Sequence, residues 1–525
     1  MRNDDSDRSS GIRLAELMAA LSIATDLGMG QPMEHAMMSC IVAVRIGELG
    51  GLAEEDLRDA YYEALLRYIG CNADTYWLSS IIGDEIAFRT EFARIDTADT
   101  PRIVTMMLRS IWQANVGADT ARLVQSVLQG FARMSQVRTS FFVGHCEVAQ
   151  RLATRLGFPE RFIGTIGQIY ARWDGRGVPD LKGEEISPAL LVASLAQDAV
   201  TFHRLGGVDA AVAMARERRG GAHAPWLVDL FCENAAAVLA GLDQEPVWEA
   251  VLAIEPGGRR RLSLAEFDDA CEAIADYIDI KSPFFLNHSR RVAELATATA
   301  ETYGLPDDDI RSLRNAALLH DIGKVGISAG LWGKAGPLTE REWEKVHMHP
   351  YHAERILARP QSLARLGALA STHHERLDGS GYYRRLTGPL LSPAARILAA
   401  ANHYVALTEQ RPHRPPLLPE LAAESLGSEV RAGRLDGDVV RALLETTGYR
   451  RSSGRRKGVG GLSEREIEVL RLIARGRTIK QMAADLILSP KTVDRHIQNI
   501  YLKIGVSTRA AATLFAMEHR LLDPV

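Results

Sequence analysis

The sequence predicts an all-α protein. Stretches such as EALLRYIG (63–70), SRRVAELATATAETYG (289–304) and EIEVLRLIAR (466–475) carry apolar residues three and four apart, the spacing of one helical face. Runs of alternating strand pattern are absent. At 525 residues the chain is too long for one hydrophobic core, so several helical domains are expected. Its 46% hydrophobic and 24% charged residues are those of an ordinary soluble chain. With no run of about 18 apolar residues, no membrane span is expected. The start, MRNDDSDRSS, lacks the apolar centre of a signal peptide and reads as a disordered lead-in over 1–13. Five dispersed cysteines without a C-x-x-C pair argue for reduced thiols and a cytoplasmic protein, and against cysteine metal sites or a disulfide framework.

A diverged internal repeat organises most of the chain. An offset of 253 brings His35 onto His288, Gly51-Leu52 onto Gly304-Leu305, and ALLRYIGC (64–71) onto ALLHDIGK (317–324). After an insertion in the first copy, an offset of 204 aligns His145 with His349 and WDGRGVP (173–179) with LDGSGYY (377–383). The expected domains are therefore one copy over 14–245, a linker over 246–261 containing EPGGRRRLS, and a second copy over 262–448. A basic, glycine-rich linker (449–461) then leads to a small C-terminal domain (462–525).

Seven of the 15 histidines fall between 288 and 374: His288, His320, His347, His349, His352, His373 and His374. In HDIGK, His320 is followed directly by Asp321 at the predicted end of a helix. Neutral imidazole and carboxylate are ligands for Mn, Fe or Zn, and a carboxylate can bridge two ions. Lys324 is spaced to stabilise charge on a phosphate. His347 and His352 read as surface helix residues.

These motifs resemble the HD-GYP family of metal-dependent phosphohydrolases. The resemblance covers about 160 residues through NHSRRVAEL, ALLHDIGKVGI, LTEREWEKVHMHP, HHERLDGSGYY and RILAAANHYVALTEQRP. It implies an all-helical HD-superfamily fold and a divalent metal centre of Fe or Mn, here with one or two ions. Many members hydrolyse cyclic di-GMP. Carried over by position, the ligands are His288, His320, Asp321, His349, His373 and His374. Asp321 would bridge and Lys324 would face the phosphate. Asp378, Gly379, Gly381 and Tyr382 would form a nucleotide-binding face.

Two positions depart from the family pattern. Tyr383 replaces a proline, which is expected to loosen the turn. Asn402 stands where the family usually has an aspartate ligand, and a neutral amide binds metal more weakly. His403 is adjacent, but neighbouring helical residues point about 100° apart.

The first copy has lost most of the ligand set. His288 and His349 retain counterparts in His35 and His145. His320, Asp321 and Lys324 correspond to Arg67, Tyr68 and Cys71, while His373 and His374 correspond to Ile169 and Tyr170. Asn402 faces Gln197, with Asp198 one residue further on. A packing, dimerising or ligand-sensing role is expected for this copy, without metal.

The C-terminal domain reads as four short helices. Ser463 and Glu466 make a capping box, Gly476 closes the first helix, and Gln481 to Leu486 form a second. Ser489 caps a third that begins at Pro490 and runs to about Ile504. Val493, Ile497, Ile500 and Ile504 make its apolar stripe, leaving Lys491, Arg495 and Gln498 elsewhere. A fourth helix spans 510–521. The pattern resembles the LuxR-type helix-turn-helix, through LSEREIEVL, SPKTVDRHI and KIGVSTR, and implies docking of the third helix in the major groove of double-stranded DNA. Residues 450–525 hold 15 basic and 7 acidic side chains, a surplus of 8 against a chain total of -4. Arg495 and Gln498 are expected at base edges, Lys491, Thr492 and Lys503 at phosphates, and Asp494 at cytosine N4 or the edge of the interface. The final helix is expected to give a homodimer surface, as in the family.

These readings converge on a bacterial DNA-binding regulator whose HD-GYP-like domain senses or hydrolyses a cyclic dinucleotide or other phosphoester. The alternatives are a phosphodiesterase whose main output is catalysis, and a pair of oligomerisation scaffolds.

Overall fold

The computed structural model describes residues 11–115, 141–242, 246–449 and 459–522. The expected lead-in up to residue 10 and most of the expected basic linker (450–458) lie outside the described residues. The first copy supplies α1 (Leu14–Gly28), α2 (His35–Leu49), α3 (Glu54–Leu66), α4 (Thr75–Ile82) and α5 (Glu85–Phe92). It continues with α6 (Thr100–Ala114), α7 (141–155), α8 (Glu160–Ile166), α9 (Pro188–Glu217) and α10 (Pro225–Val238). After α11 (Val247–Ala253), the second copy opens with α12 (Leu264–Asp279), α13 (His288–Tyr303), α14 (Asp307–Leu319) and α15 (Ala329–Trp332). Then come α16 (Glu340–His347), α17 (His349–Leu357), α18 (Ala364–Ala370), α19 (Pro393–Thr408), α20 (Pro419–Arg431) and α21 (Gly437–Tyr449). The C-terminal domain holds α22 (Glu464–Ala474), α23 (Ile479–Leu486), α24 (Pro490–Ile504) and α25 (Arg509–Glu518). Among the described residues there is no strand, only isolated bridges.

The two copies share backbone detail as well as helix order. Glu34 and Asn287, 253 apart, precede α2 and α13 and are both left-handed, with φ of 75° and 62°. Asp26 and Asp279, at the same offset, are buried and accept from the first turn of the next helix. Asp26 takes the Ala36 N–H at 3.2 Å, and Asp279 takes the Ser289 N–H and hydroxyl at 2.8 Å each. Gly70 and Gly323 lie against backbone: an added Cβ would stand 2.0 Å from the carbonyl oxygen of His145 and 1.9 Å from that of His349. That approach admits only glycine.

The copies are interlocked. α1 packs on the 3-10 turn Ile322–Gly326 of the second copy, and α12 on the equivalent turn Ile69–Asn72 of the first. The Asn72 amide donates to the Tyr277 carbonyl at 2.6 Å, and the buried Lys281 ammonium to that of Val325 at 3.0 Å. Buried apolar side chains of both copies form one continuous core. The interval 246–261, expected as a linker, is part of it. α11 buries Val247, Trp248 and Val251, because the helical spacing of VWEAVLA outweighs the proline and glycines that follow. Leu14 donates its N–H to Arg260, Leu262 donates to Ile12, and Arg13 donates to the Leu252 carbonyl at 2.6 Å, so residues 11–13 are ordered by this segment. No helix among the described residues is long and apolar enough to cross a membrane.

Candidate metal centre and nucleic-acid interface

Three helices of the second copy end at one point. The carbonyls of a helix's last turn lack intrahelical partners. Here Ala317 of α14, Val346 of α16 and Ala370 of α18 each accept from the Nδ1 of the histidine three residues on. His320 sits at 2.7 Å, His349 at 2.6 Å and His373 at 2.7 Å. A carbonyl can only accept, so Nδ1 carries the proton and each Nε2 turns its lone pair to the centre. Burial holds His349 down to about 3, and it also lowers His373 and His374, so these rings are neutral.

Asp321 lies in the middle, 1% exposed. Its Oδ2 is 3.1 Å from His320 Nε2 and 3.5 Å from His288 Nε2. Its Oδ1 is 3.6 Å from both His349 Nε2 and His373 Nε2. Burial is the largest influence on this carboxyl and raises it, but His320, the Lys324 ammonium and His373 act against burial, and the carboxyl is held well below the usual range. Lys324 bonds Oδ2 and stands over the rings of Phe285 (4.2 Å) and Trp332 (5.3 Å). Two donor groups result, His288–His320–Asp321 and His349–His373–His374, each with its ligand atoms within 4.8 Å of one another. Among the described residues the first copy holds no such group.

The centre has the chemistry of a cation site. His320 Nε2 and Asp321 Oδ1 are buried without a hydrogen-bond partner, an arrangement that costs several kcal/mol when left uncompensated. His288 gives a second sign. Its Nδ1 donates to Glu409 Oε2 at 2.8 Å, so a neutral ring turns its Nε2 lone pair on the Asn402 Oδ1, 3.1 Å away. Two acceptors converge as they do in the shell of a divalent ion.

Of the turn residues, only Tyr382 reaches this cluster, stacked between His374 (4.5 Å) and His347 (4.0 Å). His347 is therefore not a free surface residue, because its ring closes the outer side of Tyr382. Asp378 spends its carboxylate within the turn, on the Ser380 N–H and hydroxyl. Gly379 shapes the turn, and Gly381 lets it lie on the His374–Arg376 backbone, where a Cβ would meet Glu375 Cα at 2.5 Å. Beyond Tyr383, Glu375 accepts from the N–H groups of Arg384 and Leu386 at 2.9 Å each. His352 and His403 belong to neither donor group.

The sequence reading missed Glu409, Glu375 and the aromatic walls of Lys324. Glu409 had a weaker signal: it lies seven residues after Asn402, just past the end of α19, where it is the extended C-cap.

In the first copy, side chains fill the equivalent space. The Tyr170 hydroxyl lies 2.8 Å from His145 Nδ1 and 3.2 Å from Cys71 Sγ. Arg67 pairs with Glu63 at 2.8 Å and donates to Ser194 at 3.2 Å, while His35 faces Thr201 at 3.4 Å.

In the C-terminal domain, Ser463 and Glu466 close the capping box, and Ser489 Oγ accepts the Thr492 N–H at 3.1 Å. Val493, Ile497, Ile500 and Ile504 are buried. Lys491, Thr492, Asp494, Arg495 and Gln498 are exposed on the other side of α24. The Lys503 ammonium, also exposed, bonds Glu466 at 2.7 Å, and the Thr492 hydroxyl faces Ser489 at 2.8 Å.

Residues 272–439 match the HD domain family, and 461–516 match the luxR family of bacterial regulatory proteins. Over 407 residues the chain is 30% identical to the 3'3'-cGAMP-specific phosphodiesterase 3 of Vibrio cholerae serotype O1, covering 76% of this chain and 87% of that protein. A cyclic di-GMP phosphodiesterase of Thermotoga maritima is 35% identical over 185 residues, 35% of this chain and 49% of its own length. The crystal structure of a cyclic GMP-AMP specific phosphodiesterase of V. cholerae (V-cGAP3) superposes with a TM-score of 0.57 and 27% identity, over 84% of this chain and 98% of its own. Fold and site thus define an HD-domain architecture joined to a helix-turn-helix. The chain belongs to the HD-GYP family and carries a LuxR-type DNA-binding domain at its C-terminal end.

Proposed function

We propose that the chain is a DNA-binding transcriptional regulator whose second copy binds one or two divalent ions, Fe or Mn, and hydrolyses or senses a cyclic dinucleotide. The observation that carries this reading is the cluster of five imidazoles around Asp321 in the same chain as an exposed basic helix α24. His288, His320 and Asp321 would hold one ion, His349, His373 and His374 a second, with Asp321 shared and Asn402 a neutral ligand. Bound ions supply Lewis-acid charge that polarises a phosphodiester. Lys324, pinned between Phe285 and Trp332, adds fixed positive charge beside it. Tyr382 offers an aromatic edge at the rim for a nucleobase. Arg495, Gln498 and Lys491 would read and grip duplex DNA, with Thr492 and Asp494 beside them.

A second reading makes catalysis the main output; identity to a 3'3'-cGAMP-specific phosphodiesterase over 87% of that protein favours it. One pair of assays on the full chain separates the two. Hydrolysis of 3'3'-cGAMP and cyclic di-GMP is followed with Mn or Fe, and binding to duplex DNA is titrated against salt. A regulator binds DNA with a steep salt dependence that Arg495→Ala weakens. Turnover with no DNA binding in any salt would leave only the enzyme.

A further inference from the structure

A carboxylate of the first copy ends beside the metal centre of the second. Glu85 opens α5 and is fully buried. Its hydrogen-bond partners lie in the other copy: Oε2 accepts the Ser328 hydroxyl at 2.6 Å, and Oε1 accepts the Ala329 N–H at 2.8 Å. Those groups start α15, so one copy caps a helix of the other. Lys281, also fully buried, stands 3.5 Å from Glu85 Oε1 and donates to the Val325 carbonyl at 3.0 Å. Two buried opposite charges, each needing a partner, thus fasten residues 325 to 329.

α15 has little of its own to hold it. At four residues it is a single turn, too short to persist alone. It borders a cleft of about 740 Å3, lined by Ser328, Gly330 and Leu331 from this segment and by Ser80, Asp84 and Ala87 from the first copy. Two close approaches are again to the first copy. A Cβ added at Gly330 would stand 2.7 Å from the Gly83 carbonyl oxygen, and one at Gly333 would stand 2.7 Å from the Tyr76 ring.

Trp332 is the last residue of α15. Its ring centre lies 5.3 Å from that of Phe285 and 5.7 Å from that of His349, and the Lys324 ammonium is 5.3 Å from it. Behind this wall the Lys324 side chain is only 8% exposed. The joint serves one copy only. At the offset of 253, Cys71 stands for Lys324 and Gly28 for Lys281.

We propose that Glu85 is a positioning residue for the site of the second copy. It sets α15, and through α15 the Trp332 wall that fixes the Lys324 ammonium beside Asp321. The first copy, having lost its own donors, works as part of its neighbour's site. This rests on the reading of Lys324 as the group that faces a phosphodiester. Glu85 bonds none of the metal donors, so its effect passes through Trp332.

The test uses the full, Mn-loaded chain with Glu85→Ala and, separately, Gly330→Ala. The second variant pushes α15 off Gly83 and leaves both buried charges in place. The first readout needs no turnover. Labelling of Lys324 by an amine-reactive reagent, located by mass spectrometry, should rise at least ~10-fold in both variants, as should amide exchange at 328–333. Bound Mn should equal wild type in both, and Lys281 should stay unlabelled in Gly330→Ala, which a general loss of folding would not allow. Glu85→Gln, whose amide oxygen still accepts the Ala329 N–H, should return most of the protection. The second readout is hydrolysis of 3'3'-cGAMP. Its kcat should fall about tenfold in Glu85→Ala and in Trp332→Leu, and no further in the double variant, with KM within about twofold of wild type. Unchanged Lys324 labelling in both displacing variants would overturn the clamp, and additive losses in the double variant would overturn its action through Trp332. A wild-type chain that hydrolyses no cyclic dinucleotide would sink the phosphodiesterase reading, while the labelling still decides the clamp.

Discussion

The two copies of the HD fold carry the same backbone and opposite interiors. In both, a left-handed residue starts the second helix, a buried aspartate caps it, and a glycine lets the 3-10 turn touch a histidine carbonyl. Where the second copy converges five imidazoles and Asp321, the first closes the same space with Tyr170, Cys71 and Arg67. The difference teaches that helix ends create the site and side chains decide its use. The orphan carbonyls of α14, α16 and α18 orient any histidine placed after them, and without the histidines the same frame is a packed core.

The comparison can be broken most severely at equivalent positions. Asp321→Ala should lower bound metal, measured by elemental analysis of the purified chain, by at least ~100-fold in affinity and abolish phosphodiester turnover. Tyr68→Ala, its counterpart, should leave metal content at the wild-type value. Loss of metal in both variants would mean that the first copy is not inert.

Glu409→Gln should act less strongly. It removes the anionic acceptor that turns the His288 lone pair inward, and weaker metal binding by about 10–100-fold is expected in a metal titration. A wild-type affinity would show that Asn402 or packing orients this ring without Glu409.

Asn402→Asp runs in the other direction. Adding a carboxylate opposite His288 should strengthen metal binding on the order of tenfold and raise turnover with Mn or Fe. An unchanged affinity would mean that the amide already serves as well as the acid.

Tyr170→Phe is the smallest test. It deletes the hydroxyl shared by His145 and Cys71, and denaturant unfolding should register about 1–2 kcal/mol, with metal content unchanged. A gain of metal in this variant would show that the hydroxyl alone keeps ions out of the first copy.

Much of this was legible in the chain. The helical class followed from apolar spacing, which local sequence dictates, and α24 begins and ends where Ser489-Pro490 and Gly505 direct it. The candidate metal donors were visible as a density of histidines and through their resemblance to a known family. Other features were not visible because they depend on groups far apart in sequence. Glu409 reaches His288 across 121 positions, and Glu147 reaches Ser507 across 360. The interval 246–261 looked like a linker because its glycines are local, whereas the partners that bury Trp248 are not.

By itself, then, the sequence determined the helices, the duplication, the surviving donor set and the basic recognition helix, because each rests on residues near one another or on a repeated pattern. Tertiary structure alone decided that the two copies interlock through α1 and α12, that helix-end carbonyls set the histidine tautomers, and that α25 is shared between two cores. Those outcomes depend on which unsatisfied carbonyl, carboxylate or apolar face meets which partner. That is set only when the whole chain excludes water from one core.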